Sequence, residues 1–135
     1  MNEKNLKPAS VFYYFEKICQ VPRPSKREEK IIAYLKAFGR EHGLETKTDE
    51  VGNVLIKKPA TPGKENLKTV ILQSHIDMVC EKNSDVEHDF LIDPIDTVVD
   101  GEWLKAKGTT LGADNGIGVA TELAILAATD IEHGP

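Results

Sequence analysis

The chain is poor in cysteine, has no basic cluster of any length and contains no long apolar run. Its two cysteines, Cys19 and Cys80, form neither a CxxC pair nor a disulfide framework, which excludes a disulfide-stapled secreted scaffold and a CxxC redox motif. No apolar run approaches the roughly 20 residues that a membrane helix needs. The opening MNEKNLKPASVFYYF lacks the apolar core and small-residue cleavage site of a secretory leader, so the cytoplasm is the expected compartment. Lys and Arg come only in short groups such as Lys57-Lys58, and the net charge is -5 with Asp and Glu spread along the chain. A nucleic-acid surface would need a clustered basic patch. Internal repeats, low-complexity tracts and long linkers are also missing.

What remains is the composition of a globular domain. The chain has 135 residues, 29% charged and 40% hydrophobic, which fits one domain with a modest core. Apolar spacing predicts a first helix from a Ser10 cap to about Cys19, with Val11, Phe12, Phe15 and Ile18 on its buried stripe. Val21-Pro22-Arg23-Pro24 stops it, because each proline disfavours helix in the residue before it. Ser25 and Glu28 have the S-x-x-E spacing of a capping box, which predicts a second helix opened by Ser25. Its buried stripe is Ile31, Ile32, Leu35 and Phe38, and Gly43 is its C-cap.

Strand signals follow. Leu44–Thr48 and Asn53–Lys58 read as a hairpin turning at Val51-Gly52-Asn53. Thr69-Val70-Ile71-Leu72-Gln73 is a short unalternated run of β-formers, the pattern of a strand buried on both faces of a sheet. Residues 81–96 read as a long surface loop. Thr97–Val99 and Trp103–Lys105 flank Asp100-Gly101, a two-residue turn only if Glu102 joins the second strand. A last helix is predicted from Gly116 to about Ala128, with Val119, Leu123, Leu126 and Ala127 on one face. Helices on either side of a buried strand make the expected fold class α/β.

Two constellations carry chemistry. Ser74-His75-Ile76-Asp77-Met78-Val79 follows the predicted buried strand, at the end where open α/β sheets bind ligands. Residues i and i+2 of a strand share a face, so His75 and Asp77 can point into one crevice. A metal-binding histidine usually gives its other ring N–H to a carboxylate, and an H-x-D pair supplies both halves. A lone H-x-D is more often a hydrogen-bonded histidine beside a solvated aspartate. The second constellation is Gly108-Thr109-Thr110-Leu111-Gly112-Ala113-Asp114-Asn115-Gly116-Ile117-Gly118, a tightly bent backbone opening a helix. Asp114 fits an ordinary helix N-cap, a neighbour of a phosphate at a helix start, or a cation ligand. The spacing matches neither nucleotide-binding glycine motif, and a carboxylate repels phosphate unless a cation intervenes. An imidazole and a carboxylate together are a partial donor set for zinc or a similar ion. A carboxylate can also bridge two metals, which is amide-hydrolysis chemistry.

LQSHIDMVCEKN followed by DGEWLKAKGTTLGADNGIGVA closely resembles the aminoacyl-histidine (Xaa-His) dipeptidase branch of the M20 metallopeptidases. The resemblance runs along essentially the whole chain, VPRPSKREEKI and EVGNVLIKKPATPG included. Most other M20 branches have a D-M-K or D-D-K type sequence where this chain has Asp114-Asn115-Gly116. The resemblance implies the N-terminal part of a zinc-peptidase-like catalytic domain over residues 1–135, a mixed sheet flanked by helices. It implies two divalent ions, Zn²⁺ or alternatively Mn²⁺ or Co²⁺. His75 would be a terminal ligand, Asp114 the bridging ligand, and Asp77 the catalytic carboxylate that orients and polarises His75. A cis peptide at Asp114–Asn115 is implied too, with Gly112 or Gly116 at positive φ. The implied substrate is a dipeptide, with no nucleic acid or membrane partner and a homodimer in the full-length protein.

The family pattern continues past Glu132-His133-Gly134-Pro135 into a strand and a Glu-Glu pair, one the general base and the other a metal ligand. An aspartate, a histidine and a lid or dimerisation domain lie beyond. The chain is therefore expected to be an incomplete, inactive catalytic domain. Glu28-Glu29 sits on a predicted surface helix ahead of the site and cannot replace that pair. His42, His88 and His133 read as surface residues, and Cys80 as a packing residue beside a strand end. A truncated, non-catalytic metal- or partner-binding relative is the alternative reading. A phosphate- or nucleotide-binding module, resting on the glycine-rich loop alone, ranks third.

Overall fold

Three amphipathic segments form the helices, and their apolar stripes meet. The computed structural model describes residues 5–135; residues 1–4, where the leader reading begins, lie outside the described residues. Helix α1 (Ala9–Cys19) buries Phe15, Ile18 and Cys19, an i, i+3, i+4 stripe. Helix α2 (Glu29–Glu41) buries Ile31, Leu35, Phe38 and Gly39. Helix α3 (Ala113–Ala127) buries Gly116, Val119, Ala120, Leu123 and Ala124. These faces join Met78 and Ile95 in one core, with Leu126 and Ala127 packed against it.

The first two expected helix starts are corrected. Pro8, not Ser10, holds the N-cap position of α1, and no side chain caps it. Proline suits the edge of a helix, where its missing N–H costs nothing. Ser25 does not open α2. Glu28 is at that N-cap position without a side-chain cap bond, and its Oε1 accepts the Lys26 N–H instead. The Ser25 hydroxyl points elsewhere, to Asp77. The far end of α2 agrees with expectation: Gly43 follows it at φ +64°, the left-handed position glycine favours.

The first hairpin forms as read. Strands β1 (Glu45–Thr48) and β2 (Val54–Lys57) pair antiparallel, from Glu45↔Lys57 to Thr48↔Val54. Asp49 organises its turn by accepting the N–H groups of Val51 and Asn53. Gly39 lets β1 approach α2, since a β-carbon there would lie 1.9 Å from Thr46 Oγ1. In the second hairpin β3 (Thr97–Asp100) and β4 (Trp103–Ala106) pair with Asp100↔Trp103 closing the ladder. Gly101-Glu102 is therefore the two-residue turn, and Asp100 belongs to the strand.

The larger difference is at Thr69–Gln73. This segment is not a strand here, and Val70, Ile71 and Leu72 are exposed. Its sequence fits burial on both faces, but among the described residues no strand pairs with it. One backbone bond, Val70 N–H to Pro135 C=O, ties it down. The fold class is α/β, but the described strands form two separate two-stranded sheets, not the expected mixed one. The 81–96 loop is not purely surface, since Ile95 is buried and its N–H bonds to Cys19 C=O. Among the described residues no helix is long and apolar enough to cross a membrane.

Candidate metal centre

Helix α3 begins with an irregular step that creates the site. Asp114 (φ -92°, ψ 106°) and Asn115 (φ -110°, ψ 34°) depart from helical geometry. The Asp114–Asn115 peptide is cis, and Gly112 has φ +72°, both as the resemblance implies. Regular helix runs from Gly116, where the sequence placed its start. Asn115 Oδ1 accepts the Gly118 N–H at 3.1 Å, which is the side-chain bond of an N-cap. The cap is therefore Asn115, not Asp114. A β-carbon at Gly118 would lie 2.1 Å from Asn115 Oδ1, so glycine there makes room for the cap. With the cap bond supplied by Asn115 and a carboxylate at the mouth of the helix, the phosphate-cradle reading loses its donor and its electrostatics.

The Asp114 carboxylate instead faces His75. Its Oδ1 lies 3.0 Å from His75 Nε2 across 39 residues of sequence. On the other side of the ring, His75 Nδ1 lies 3.0 Å from Asp77 Oδ1. Ser25 Oγ donates to the remaining Asp77 oxygen at 2.5 Å. The result is a line of four side chains, Ser25–Asp77–His75–Asp114. Exposure rises from Asp77 to Asp114: the side chains of Asp77, His75 and Asp114 are 32%, 50% and 96% exposed.

Electrostatics follow the line. The Ser25 hydroxyl bond, aided by His75, holds the Asp77 carboxyl below the usual carboxylate range, against the opposing effect of burial. The Asp114 bond raises the His75 pKa above the usual imidazole value, desolvation opposes it and Asp77 reinforces it. If Nδ1 carries the proton and donates it in a hydrogen bond to Asp77, a neutral His75 turns the lone pair of Nε2 toward a carboxylate oxygen at 3.0 Å. Two acceptors at that distance require a proton or a metal cation between them. Two donors on one tetrahedral zinc lie about 3.4 Å apart, given Zn–N and Zn–O near 2.0–2.2 Å. The observed pair needs only a few tenths of an ångström to open, so the residues fit a cation as a partial donor set. Among the described residues no group of three or more His, Cys, Asp or Glu side chains forms a metal-holding cluster.

Several neighbours that sequence reasoning missed hold this line in place. The S-x-x-E spacing points Ser25 to a helix cap, not to Asp77. Ser74 Oγ donates to Glu122 on α3 at 2.8 Å, one residue before His75. Arg23, treated only as part of a helix stop, is buried at 2% exposure. Its guanidinium donates to the carbonyls of Ile76, Asp77 and Gly112. A charged residue between two prolines, followed by serine, was the available signal. His75 and Asp77 also line an open cleft of about 700 Å³ shared with Thr48 and Asn53. Asp114 is not among its walls, so the cleft meets the site from one side only.

The remaining histidines stay away from this line. His42 is exposed and stacks on Phe38 at 4.1 Å. His88 and His133 are half-buried, which corrects their surface assignment. His88 sits edge-on to Phe90, and the backbone of His133 is bonded to Thr61. Cys80 packs against the core with Sγ toward Met78 C=O, as a packing residue does.

The architecture is similar to that of several solved proteins. A tripeptidase from Staphylococcus aureus and aminopeptidase PepT from Bacillus cereus superpose with TM-scores of 0.71 and 0.72, each over 93% of this chain and 34% of theirs. At 23% identity these likenesses concern the fold alone. The aminoacylhistidine dipeptidase of Vibrio alginolyticus superposes with a TM-score of 0.94 at 56% identity, covering 97% of this chain. The cytosol non-specific dipeptidase of Escherichia coli (strain K12) is 53% identical over 130 residues, 96% of this chain. The chain spans 27% of the length of each of these two dipeptidases. No family model matches it. The dipeptidase resemblance carried by LQSHIDMVCEKN and LGADNGIGVA thus holds along nearly the whole chain.

Proposed function

We propose that this chain supplies the N-terminal half-site of a metal-dependent dipeptidase of the M20 type, acting on aminoacyl-histidine dipeptides. The observation that carries the reading is the Asp77–His75–Asp114 line, in which Nε2 and a carboxylate oxygen face each other at 3.0 Å. Identity to two dipeptidases above half along the chain supports it. His75 would hold one metal through Nε2. Asp77 would accept a hydrogen bond from Nδ1–H, which fixes the tautomer and raises the basicity of Nε2. Asp114, exposed and with two oxygens, would bridge to a second ion. A pair of divalent ions, zinc or alternatively manganese or cobalt, supplies carbonyl polarisation and an acidified water when bound.

The chain's own residues also bear on substrate. The cleft beside His75 and Asp77 opens toward the β1–β2 turn and offers a small peptide a place against the site. The proton acceptor for the attacking water would come from outside the described residues, as would further ligands. A net charge of -5 suits a small substrate better than a polyanion. Cytoplasmic location accords with the word cytosol in the name of the Escherichia coli relative and with the sparse cysteines. A homodimer is the expected assembly of the full-length protein.

The test uses protein of the relatives' full length carrying these residues. Metal is stripped with a chelator and zinc, manganese or cobalt is restored, while histidine release from an aminoacyl-histidine dipeptide is followed. Activity should vanish and return with metal. Turnover that persists without metal, or that ignores His75→Ala, would remove the proposal.

A further inference from the structure

Arg23 is a buried charge whose bonds join the two segments that carry the candidate ligands. Its Nη1 donates to Ile76 C=O at 3.2 Å and Asp77 C=O at 3.1 Å. Its Nη2 donates to Gly112 C=O at 2.6 Å. Ile76 and Asp77 directly follow His75, and Gly112 lies just before Asp114. One planar, rigid fork therefore sets the spacing between the His75 segment and the Asp114 segment. Arg23 is itself fixed by its backbone, whose C=O accepts the Met78 N–H at 3.0 Å, and by a proline on each side.

The glycines of the second segment are fitted to this fork. A β-carbon at Gly112 or at Gly116 would in each case lie 2.6 Å from Arg23 Nη2. A buried charge is costly unless it is fully hydrogen-bonded, and burial lowers the guanidinium's pKa even here. Arginine remains charged in any case. An apolar residue would fill the space more cheaply but would leave three carbonyls without their donor. A lysine would present a single point of attachment in place of the fork.

We propose that Arg23 is the positioning residue of the metal centre, holding the His75 and Asp114 segments in register before any ion is bound. This rests on the metal reading of the site. Residues that orient metal ligands from behind typically change metal affinity about 10–100-fold when altered. Arg23 would act at one remove, through the main chain that carries the ligands.

The experiment uses the full-length protein, stripped of metal and titrated with Co²⁺, reading affinity and the visible absorption band. Arg23→Lys keeps the charge and loses the fork. Gly116→Ala keeps Arg23 and pushes chiefly on its Nη2, with Phe15 Cε2 the next neighbour at 3.1 Å. Far-ultraviolet circular dichroism reports whether each variant is folded. Both variants should fold, bind Co²⁺ about 10–100-fold more weakly and show a shifted band, with kcat of the loaded enzyme falling more than KM rises. His75→Ala is the reference that separates the two ideas. If the parent has no band that depends on His75, the metal reading fails and the Arg23 role with it. If the parent has one and folded Arg23→Lys keeps parental affinity and band, the Arg23 proposal alone is overturned. Should Arg23→Lys not fold, parental affinity and band in Gly116→Ala overturn it equally. Loss of fold in both variants would also overturn it, because Arg23 would then serve the core at large.

Discussion

Asn115 Oδ1 accepts the Gly118 N–H at 3.1 Å, and that bond settles what Asp114 is free to do. The two residues sit side by side at the start of α3, and either side chain is of a type that caps helices. Because Asn115 caps, the Asp114 carboxylate lies 96% exposed and turned to His75. Gly118→Ala tests this division. Alanine in a helix interior usually stabilises by about 0.5–1 kcal/mol relative to glycine. Here its β-carbon would lie 2.1 Å from Asn115 Oδ1 and displace the cap. The expected outcome has the opposite sign, a net loss of about 1 kcal/mol in urea unfolding. A more stable Gly118→Ala protein would show that the cap contributes nothing.

Ser25→Ala should act on Asp77 and leave the helix alone. Read as a capping residue, Ser25 would weaken α2 when changed. In the structure its hydroxyl instead bonds Asp77 Oδ2 and is the foremost reason that the carboxyl stays acidic. The Asp77 midpoint followed by carboxyl NMR should rise in Ser25→Ala. Helix content should remain unchanged, and stability should fall by no more than about 1 kcal/mol for a bond this exposed. An unmoved midpoint would detach Ser25 from the site.

The metal-free protein has its own pH signature at His75. Asp114 first, and Asp77 with it, raise the folded-state pKa of the imidazole despite partial desolvation. A group with a raised folded pKa adds stability that is complete below its unfolded pKa of about 6.5. That stability is lost as pH rises through the folded value. The His75 ring followed by NMR should therefore titrate above the ordinary imidazole midpoint, and Asp114→Asn should bring it down. Metal competes with the same proton, so binding should weaken as pH falls through that midpoint. A His75 midpoint at or below the ordinary value would contradict the geometry.

How much of this was legible beforehand depends on whether the information is local. The buried stripes of α1, α2 and α3 were readable because 3.6-residue periodicity needs only a short window. The β1–β2 hairpin was readable because Gly52 marks its turn. His75, Asp77 and Asp114 were legible as types, and their meeting was expected from the family likeness. Ser25 was misread because S-x-x-E is a local signal and a partner 52 residues away outcompetes it. Arg23 was passed over because its three carbonyl partners lie 53, 54 and 89 residues off. Thr69–Gln73 has the composition of a buried strand, but pairing is a property of neighbours, and none among the described residues supplies it.

The last prediction concerns the chain by itself. The 135 residues bring two candidate metal donors together, His75 Nε2 and Asp114 Oδ1. Structural zinc sites use four protein ligands and catalytic ones typically three plus water. With Asp114 shared, one ion would have two donors and the other a single carboxylate oxygen, so both should be held weakly. General-base catalysis is worth about 10²–10⁴-fold; Glu28 lines the cleft beside His75 and Asp77, but its Oε1 is taken by the Lys26 N–H, and the family's acceptor is expected from a later Glu-Glu pair. This chain should therefore fail to release histidine from an aminoacyl-histidine dipeptide in zinc, manganese or cobalt. A version extended to the length of the dipeptidase relatives should succeed, and His75→Ala or Asp114→Ala should abolish its activity while leaving it folded. Isothermal titration should likewise give weak, sub-stoichiometric zinc binding to the short chain and tight binding of two ions to the long one. Turnover by the short chain near the rate of the long one would mean that the catalytic groups have been placed wrongly. An inactive long version that still binds metal through His75 and Asp114 would favour the non-catalytic, metal-binding relative instead.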